Sequence, residues 1–293
     1  MKSKILLTNA NKTFEKSFLA ACAKSDIVGH SINVHDRMVF VVDNGETRLI
    51  YDDEPLAVEE YGYALIRLRG KKPLATAMFA LYLEHKHVPY MDRANREPAL
   101  SDNKLVQMLR LGIVGLPVPK TLMFSHVSYE HNKKSILAEF TFPCVLKQDG
   151  ARGESVWKIA SVEELEKQMN EMTKDLMMIQ EFVPNTEDIR ALIFNGELIG
   201  AIARRSTDGF YNNVSRGAIT ALATLTETEL DLAVRACSVV DIDFGGVDFI
   251  RTPTGIAILE VNKSPQLNGF QVETGMDVPA VILEKISNGF NRN

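Results

Sequence analysis

The sequence has few cysteines and no long apolar run, and each absence excludes a class of protein. Its 293 residues include three cysteines, Cys22, Cys144 and Cys237, and none of them forms a CxxC pair. A disulfide framework and a cysteine-based zinc site are therefore excluded, and reduced thiols in the core are the interpretation that remains. No apolar run approaches the ~20 residues that a membrane-spanning helix needs.

The sequence also lacks a large excess of charge of one sign. Lys and Arg total 33, Asp and Glu total 38, and the net charge is −5. Such a chain lacks the basic field of a sequence-independent nucleic-acid binder. The apolar run near the N-terminus ends after Ile5-Leu6-Leu7, and a secretory signal needs roughly 7–15 apolar residues. We therefore expect a cytoplasmic protein with neither a nucleic-acid nor a membrane partner.

Turn signals separate short strands and helices along the whole chain. Asn-Gly pairs at 44–45 and 195–196 lie between apolar runs and predict β-hairpins, and residues 252–255 predict a third. Pro73 is typical of the first turn of a helix, whereas the polar stretch 92–101 predicts a linker. Several antiparallel pairs among helices predict an α+β fold rather than a strictly alternating parallel sheet.

The third predicted hairpin carries hard oxygen ligands. Asp248 lies on its first strand, and Glu260 and Asn262 lie on the second. Residues two apart share a strand face, and a tight turn brings Asp248 across from them. Two carboxylates and an amide oxygen suit Mg²⁺. A solvated strand face with unrelated charges is the alternative, although the strands around these acids are otherwise apolar.

A lysine before a glycine-bearing turn predicts a phosphate contact. Lys147 lies near the end of the strand 143–148, and Gly150 and Gly153 follow in the next turn. The backbone N–H groups of such a turn can fold over phosphates, while the lysine meets them as a point charge. The GxxxxGK(S/T) motif is absent, which excludes a P-loop enzyme. An ordinary hairpin is the alternative.

Two further elements complete the candidate site. The apolar strand 179–183 ends in polar residues before Pro184, and its backbone could pair with the edge of an adenine ring; a plain strand end is the alternative. Arg190, Arg204-Arg205 and Arg216 suit recognition of a carboxylate or phosphoryl group. Adjacent strand residues face opposite ways, so we expect one of Arg204 and Arg205 to be solvated.

Together these pieces resemble the ATP-grasp superfamily, in particular its RimK-like amino-acid ligases. The segment 246–249, GVDF, followed by 260–265, EVNKSP, looks like the GVD…EVN.SP signature of that family. The resemblance extends over about residues 100–285, and the other motifs follow in the family's order. They are 102–105, 115–121, Lys147 with its turn, 180–182, 188–190, and Asn213 with Arg216-Gly217.

The resemblance implies a three-part ATP-grasp fold with ATP between two antiparallel sheets. Its parts are an N-terminal α/β domain, 1–97, a central lid, 98–182, and a C-terminal part with the metal site, 183–293. It also implies a role for individual residues. Lys104 and Lys147 would bind the phosphates. The base would contact Gln180, Glu181, Phe182 and Val183, the ribose would lie near Asp188, and Asn213 would belong to the loop that closes over the nucleotide. Mg²⁺, normally two ions and replaceable by Mn²⁺, would be held by Asp248, Glu260 and Asn262, and the acyl phosphate and tetrahedral intermediate would be bound by Arg190, Arg205 and Arg216.

The implied activity is ATP-dependent joining of a carboxylate to an amine through an acyl phosphate. The implied partners are a carboxylate substrate, on a small molecule, peptide or protein tail, and an amino acid such as glutamate or another amine, bound by a homodimer or homotetramer. Tyr211, Lys263 and Gln266 depart from the family pattern. They motivate the alternative of a regulatory module that binds ATP without ligation, and a different ATP-grasp branch with a non-amine acceptor is a third possibility. Lys263 itself predicts either a substrate contact or a solvated cation.

Overall fold

Four β-sheets organise the chain, whose computed structural model describes residues 3–67, 72–148, 155–172, 175–205 and 219–290. The strands are β1 (Ser3–Thr8), β2 (Ile27–Ile32), β3 (Met38–Asp43), β4 (Glu46–Tyr51), β5 (Glu54–Pro55), β6 (Tyr63–Ile66), β7 (Tyr90–Met91), β8 (Thr121–Ser125), β9 (Cys144–Gln148), β10 (Val156–Ile159), β11 (Leu176–Glu181), β12 (Glu187–Phe194), β13 (Glu197–Arg205), β14 (Ile219–Leu222), β15 (Phe244–Thr252) and β16 (Gly255–Asn262).

Helices cover the faces of these sheets. They are α1 (Lys12–Lys24), α2 (Pro73–His85), α3 (Pro98–Ser101), α4 (Lys104–Ile113), α5 (His126–Ala138), α6 (Val162–Asn170), α7 (Glu227–Val239), α8 (Asn268–Thr274) and α9 (Val278–Phe290), with short 3-10 helices at Val58–Glu60 and Arg93–Asn95. Within the described ranges, no helix is both long enough and apolar enough to cross a membrane.

The first sheet is parallel and has the order β2-β1-β6-β7. Its strands are apolar on both faces, which is typical of a parallel sheet covered by helices on both sides. Ile5 and Leu7 pack towards α1, whereas Leu6 packs on the other face, towards α2. A small antiparallel sheet, β3-β4-β5, is inserted between β2 and β6. The expected α/β character of this part is confirmed.

Two antiparallel sheets make up the rest. One has the order β10-β9-β11-β8 and packs against α5 and α6; the other has the order β14-β13-β12-β15-β16 and packs against α7. The hairpins predicted at 44–45, 195–196 and 252–255 are all present, as β3–β4, β12–β13 and β15–β16. The α+β fold class is therefore confirmed.

One hydrophobic core joins the beginning of the chain to its last helix. Ile5 and Phe14 share this core with Phe244, Phe270 and Ile282. The first range, 1–97, thus shares this core with 183–293, whereas a second core, around Leu6 and Phe79, lies within the range itself. The division into three domains stays a prediction, although each sheet lies within one of those ranges.

The stretch 92–101 is a folded connector, so the prediction of a linker was wrong. Asp92, Asn95 and Ser101 are all buried. Asn95 Nδ2 donates to the Met91 carbonyl at 3.1 Å, and Ser101 Oγ donates to the Ala94 carbonyl at 2.5 Å. Polar side chains in this stretch bond to nearby backbone rather than to solvent, and composition alone does not separate these two uses.

Candidate active site

A cleft lies between the two antiparallel sheets and holds most of the predicted site. It contains roughly 890 Å³ of space including its open mouth, which is within the size range of small-molecule sites. Its lining residues are Lys104, Pro119, Val145, Lys147, Val156, Gln180, Glu181, Phe182, Val183, Asn185, Asp188, Arg204, Asp248, Ile250, Leu259 and Glu260. The predicted phosphate, base and ribose residues in the described ranges all line this cleft.

Acidic and basic side chains lie next to one another on the face of the five-stranded sheet that borders the cleft. The register pairs Asp188 with Arg204, Arg190 with Asp248, and Asp248 with Glu260. Cross-strand partners share a face, so the pairing itself collects these five side chains. Arg190 binds Asp248 through two hydrogen bonds of 2.7 and 2.6 Å. Arg204 donates to Asp188 at 2.6 Å and lies 3.0 Å from Asp248 Oδ2.

Burial and mutual attraction set the electrostatics of this network. Burial raises the pKa of Asp188 to about 6, against the opposing influence of Arg204. Burial also acts to lower the pKa of Arg204, but Asp248 and Asp188 outweigh it and raise that pKa. A buried charge of this kind is stable only when it is paired and hydrogen-bonded. Arg204 therefore compensates the charge of both Asp188 and Asp248.

Glu260 and Asn262 lie at the other side of Asp248. Lys104 Nζ is 2.7 Å from Glu260 Oε2. Burial acts to raise the pKa of Glu260, but the charge of Lys104 and the hydrogen bonds from Lys104 and Asn262 hold that pKa well below its usual range. The β15–β16 register shifts after Asp248, which leaves Leu259 as the extra residue of a β-bulge. Because of this bulge, Leu259 and Glu260 both line the cleft.

The geometry at Asn262 fits a bound divalent cation. Asn262 Nδ2 donates to Glu260 Oε1 at 2.8 Å and to Asp248 Oδ2 at 3.2 Å, so both carboxylates converge on one amide. A half-turn of the amide would present its oxygen to the same place, because the two ends of an amide have the same shape. Among the described residues no three His, Cys, Asp or Glu side chains form a metal cluster. Asp248, Glu260 and Asn262 would supply only some of the ligands of Mg²⁺ and leave positions for water and phosphate oxygens, as Mg²⁺ prefers.

Lys147 faces the same space from the opposite sheet. It lies on β9, and burial lowers the pKa of its ammonium group to about 8; Lys104 lowers it further, whereas Glu260 and Asp248 act to raise it. A buried lysine of this kind gains from an anion beside it. The predicted glycine turn with Gly150 and Gly153 lies outside the described residues.

The far end of the cleft is a mostly apolar slot. Val145, Val156 and Ile250 line it, and the Phe182 ring lies 4.1 Å from Lys158 Nζ. Gln180 is buried and donates to Thr121 Oγ1 at 2.9 Å. The backbone N–H of Glu181 donates to the Lys120 carbonyl at 2.9 Å, and its side chain is exposed. Such a slot fits a planar ring better than a charged group.

Arg205 does not lie with Arg190 and Arg204. It is 64% exposed and binds Glu187 at 3.1 Å, whereas Arg204 is the residue that faces the cleft. A regular two-residue hairpin at 195–196 would place Arg205 on the face of Asp188. The register shifts by one residue between Leu192 and Ile193, and this shift exchanges the two arginines. Asn213, Arg216 and Tyr211 lie outside the described residues.

Lys263 matches neither of its two predicted environments. Only 7% of the residue is exposed, and its ammonium group donates to Asn95 Oδ1 in the connector. It thus points neither to solvent nor into the cleft. The sequence held no signal for this contact, because the two residues are 168 positions apart.

The two antiparallel sheets with a cleft between them define the ATP-grasp fold, and solved structures share it over nearly the whole chain. The ATP-grasp ligase PsnB, complexed with a minimal precursor, Mg and ADP, has a TM-score of 0.73 at 16% identity, covering 98% of this chain and 97% of that one. A Chryseobacterium gregarium RiPP-associated ATP-grasp ligase, complexed with ADP and a leader and core peptide, has a TM-score of 0.71 at 14% identity, covering 99% and 97%.

Residues 101–286 match the family described as the RimK-like ATP-grasp domain, and the chain belongs to that family. Two curated relatives are a probable alpha-L-glutamate ligase of Enterobacter sp. strain 638 and a ribosomal protein bS6–L-glutamate ligase of Salmonella paratyphi B. Each is 34% identical over 113 residues, which is 38% of this chain and 38% of the relative. The match to these relatives thus spans well under half of their length.

Proposed function

We propose that this chain is an ATP-dependent carboxylate–amine ligase that forms an amide through an acyl phosphate. The observation that carries the proposal is the cleft itself. It brings two lysines, Lys104 and Lys147, into one cleft with the carboxylates Asp248 and Glu260 and with a set of apolar residues. This combination matches a nucleotide whose base packs on apolar side chains and whose phosphates meet the cations and a metal.

In this proposal the nucleotide is ATP, and its base contacts Phe182 and the backbone of 180–183, with Asp188 near the ribose. Lys104 and Lys147 bind the phosphates as point charges. Asp248, Glu260 and Asn262 hold Mg²⁺, which Mn²⁺ can replace; we propose two ions. When bound, the metal neutralises phosphate charge and so assists attack on the γ-phosphorus. A solved neighbour, PsnB, is described with Mg and ADP.

The reaction then proceeds in two balanced steps. A substrate carboxylate attacks the γ-phosphate, which gives an acyl phosphate and ADP. An amine attacks the acyl carbon, loses a proton, and expels inorganic phosphate. No protein nucleophile takes part, so catalysis consists of positioning and charge neutralisation. Arg190 and Arg204 are placed to neutralise the acyl phosphate and the tetrahedral intermediate; Arg216 remains a candidate for the same role, and Arg205 points away from the cleft.

The proposed substrates are an amino acid, with glutamate the first choice, and a carboxylate on a peptide or protein tail. The support is similarity, since the curated relatives are named glutamate ligases and solved neighbours are described with precursor peptides. We propose a cytoplasmic location, because ATP is the co-substrate and all three cysteines are buried and free. We also propose that the chain acts as a homo-oligomer.

Glu260→Gln tests this function. We expect carboxylate-dependent phosphate release from MgATP to fall at least about 100-fold, since a charged metal ligand is lost. Glu139→Gln is the matched control, because Glu139 also binds a lysine at 2.6 Å but lies at the surface. Phosphate release is measured with a panel of amino acids and carboxylates, and mass spectrometry must find a product heavier by an amino acid minus water. Full turnover in Glu260→Gln would refute the metal assignment.

The regulatory module remains the second candidate. It predicts ATP binding without any amide product across the panel. One of its motivations is weaker than the sequence suggested, because Lys263 turns to the connector and leaves Asn262 beside both carboxylates. Detection of an amide product with any amine would exclude this candidate.

A further inference from the structure

The end of the β15–β16 hairpin that carries Asn262 is held by residues outside the cleft. The first of them is Asp92, at the start of the connector. Its Oδ1 accepts hydrogen bonds from the backbone N–H groups of Asp243 at 2.7 Å and Phe244 at 2.8 Å. These two groups begin β15, the strand that carries Asp248. Asp92 therefore fixes where that strand begins.

The partner strand is held by the same connector. β16 ends at Asn262, and the ammonium group of the next residue, Lys263, donates to Asn95 Oδ1. Asn95 is fully buried and donates to the Met91 carbonyl at 3.1 Å, so its own orientation is fixed. Successive strand residues point to opposite faces. Asn262 thus faces the cleft while Lys263 faces the connector, and the two are coupled through one peptide unit.

A third contact comes from the N-terminal sheet. The Arg67 carbonyl accepts a hydrogen bond from Ser264 Oγ at 2.8 Å. The guanidinium group of Arg67 lies 4.7 Å from the centre of the Phe244 ring and 4.6 Å from the centre of the Phe14 ring. The N-terminal part of the chain therefore contacts both strands at the same end of the hairpin.

Among the residues that hold this end of the hairpin, Lys263 is the hardest to replace because of its charge. Asp92 is fully buried, and among the described residues its Oδ2 has no hydrogen-bond partner. Burial raises the pKa of the Asp92 carboxyl, and the charge of Lys263 is the strongest influence that opposes this. Arg67 contributes in the same direction but less. A buried carboxylate without such compensation is strongly destabilising.

We propose that Lys263 is a positioning residue, which holds Asn262 at the distance from Asp248 and Glu260 that a bound divalent cation requires. The proposal rests on the proposed function only for the role of Asn262 as a metal ligand. It gives a role to Lys263, one of the three residues that depart from the family pattern. The charge is directed into the protein, where it joins the connector to the metal-binding end of the hairpin.

The test compares Lys263→Met with Arg251→Met. Arg251 lies on the same hairpin but at its other end, where it binds Glu229 at 2.6 Å. Mn²⁺ affinity is measured by electron paramagnetic resonance in the presence of a non-hydrolysable ATP analogue. We expect Lys263→Met to weaken Mn²⁺ binding about tenfold, as loss of a group that orients a ligand does, and Arg251→Met to leave it unchanged. Affinity for the analogue without metal should be the same in all three proteins.

Amide hydrogen exchange supplies a second readout that a general loss of stability does not imitate. In Lys263→Met the protection of 244–246 and 262–264 should fall at least about tenfold more than that of the other hairpin end, 251–256. Arg251→Met should show the reverse pattern. Equal loss at both ends in Lys263→Met would overturn the proposal.

A double variant covers the case in which Lys263→Met does not fold. Asp92→Asn with Lys263→Met removes the carboxylate and the ammonium group together, so no carboxylate stays buried without the cation of Lys263. Met donates nothing to Asn95, so Mn²⁺ binding should still be about tenfold weaker. Wild-type Mn²⁺ affinity in either folded variant would refute the positioning role. A wild-type chain that binds Mn²⁺ with the analogue but never forms an amide would refute the proposed function alone. Absence of Mn²⁺ binding by the wild type would refute the metal site and this role with it.

Discussion

The two walls of the cleft handle charge in different ways. The wall formed by β8–β11 is mostly apolar, with Val145, Val156 and Phe182, and Lys147 is the cation that it contributes to the cleft. On the five-stranded wall each buried acid is held by a cation. Asp248 has two arginines, and Glu260 has Lys104.

This difference separates stability from affinity. Where charges are already paired, removing one leaves its partner buried and alone, which destabilises the fold. Where a buried cation faces open space, removing it relieves the fold but takes away a contact to the ligand. Substitutions in the five-stranded wall should therefore lower the free energy of unfolding, whereas substitutions in the other wall should chiefly lower nucleotide affinity.

Arg204→Met should give the largest effect. It leaves the buried side chains Asp188 and Asp248 with less compensation, so we expect the free energy of unfolding to fall by about 3–5 kcal/mol. Urea denaturation followed by circular dichroism measures this change. The neighbouring variant Arg205→Met is the control, and because Arg205 is exposed it should change stability by less than about 0.5 kcal/mol. Similar losses in the two variants would contradict the register described here.

Lys147→Met should have an intermediate effect on the free energy of unfolding, and it should raise that free energy near pH 7 rather than lower it. The folded-state pKa of about 8 lies below the ordinary pKa of a lysine, 10.5, so the unfolded chain binds more protons between these values. Wild-type stability should therefore rise with pH across this window, by at most about 3 kcal/mol. In Lys147→Met this rise should be absent, and the variant should exceed the wild type in stability near pH 7.

Thermal denaturation between pH 7 and pH 10 measures this difference. The charged groups that face Lys147 are Lys104, Glu260 and Asp248. ATP affinity at pH 7 should fall about tenfold in Lys147→Met, because a cation beside the phosphates is lost. A variant that is less stable than the wild type at pH 7 would show that Lys147 is paired in the ligand-free protein.

Phe182→Leu should have the smallest effect and should lower only the affinity for ATP. A base stacked on an aromatic ring gains about 1–3 kcal/mol, and leucine keeps part of the apolar contact. We expect ATP to bind about fivefold more weakly, which corresponds to about 1 kcal/mol. Stability should hardly change, since the ring borders open space. Isothermal titration calorimetry with ATP decides the point, and unchanged affinity would remove Phe182 from the base site.

Local patterns made the hairpins and the grouping of Asp248, Glu260 and Asn262 predictable. An Asn-Gly turn fixes its own neighbours, and the spacing of Glu260 and Asn262 places them on one face whatever surrounds the strand. The choice between Arg204 and Arg205 was not predictable, because it depends on a register shift near Leu192 that leaves no mark in the composition of the strand. The contact of Lys263 with Asn95 was hidden for a different reason, since it exists only after distant segments have met.

The core that unites Ile5 and Phe14 with Phe270 and Ile282 has a consequence for biosynthesis. α1 packs against α9, so the apolar side of α1 that faces α9 stays uncovered until α9 has left the ribosome. At roughly 5–20 residues per second, α1 remains without this cover for tens of seconds after it emerges. During that interval its apolar side is open to chaperones and to aggregation, whereas the β8–β11 sheet can complete its own core while synthesis continues.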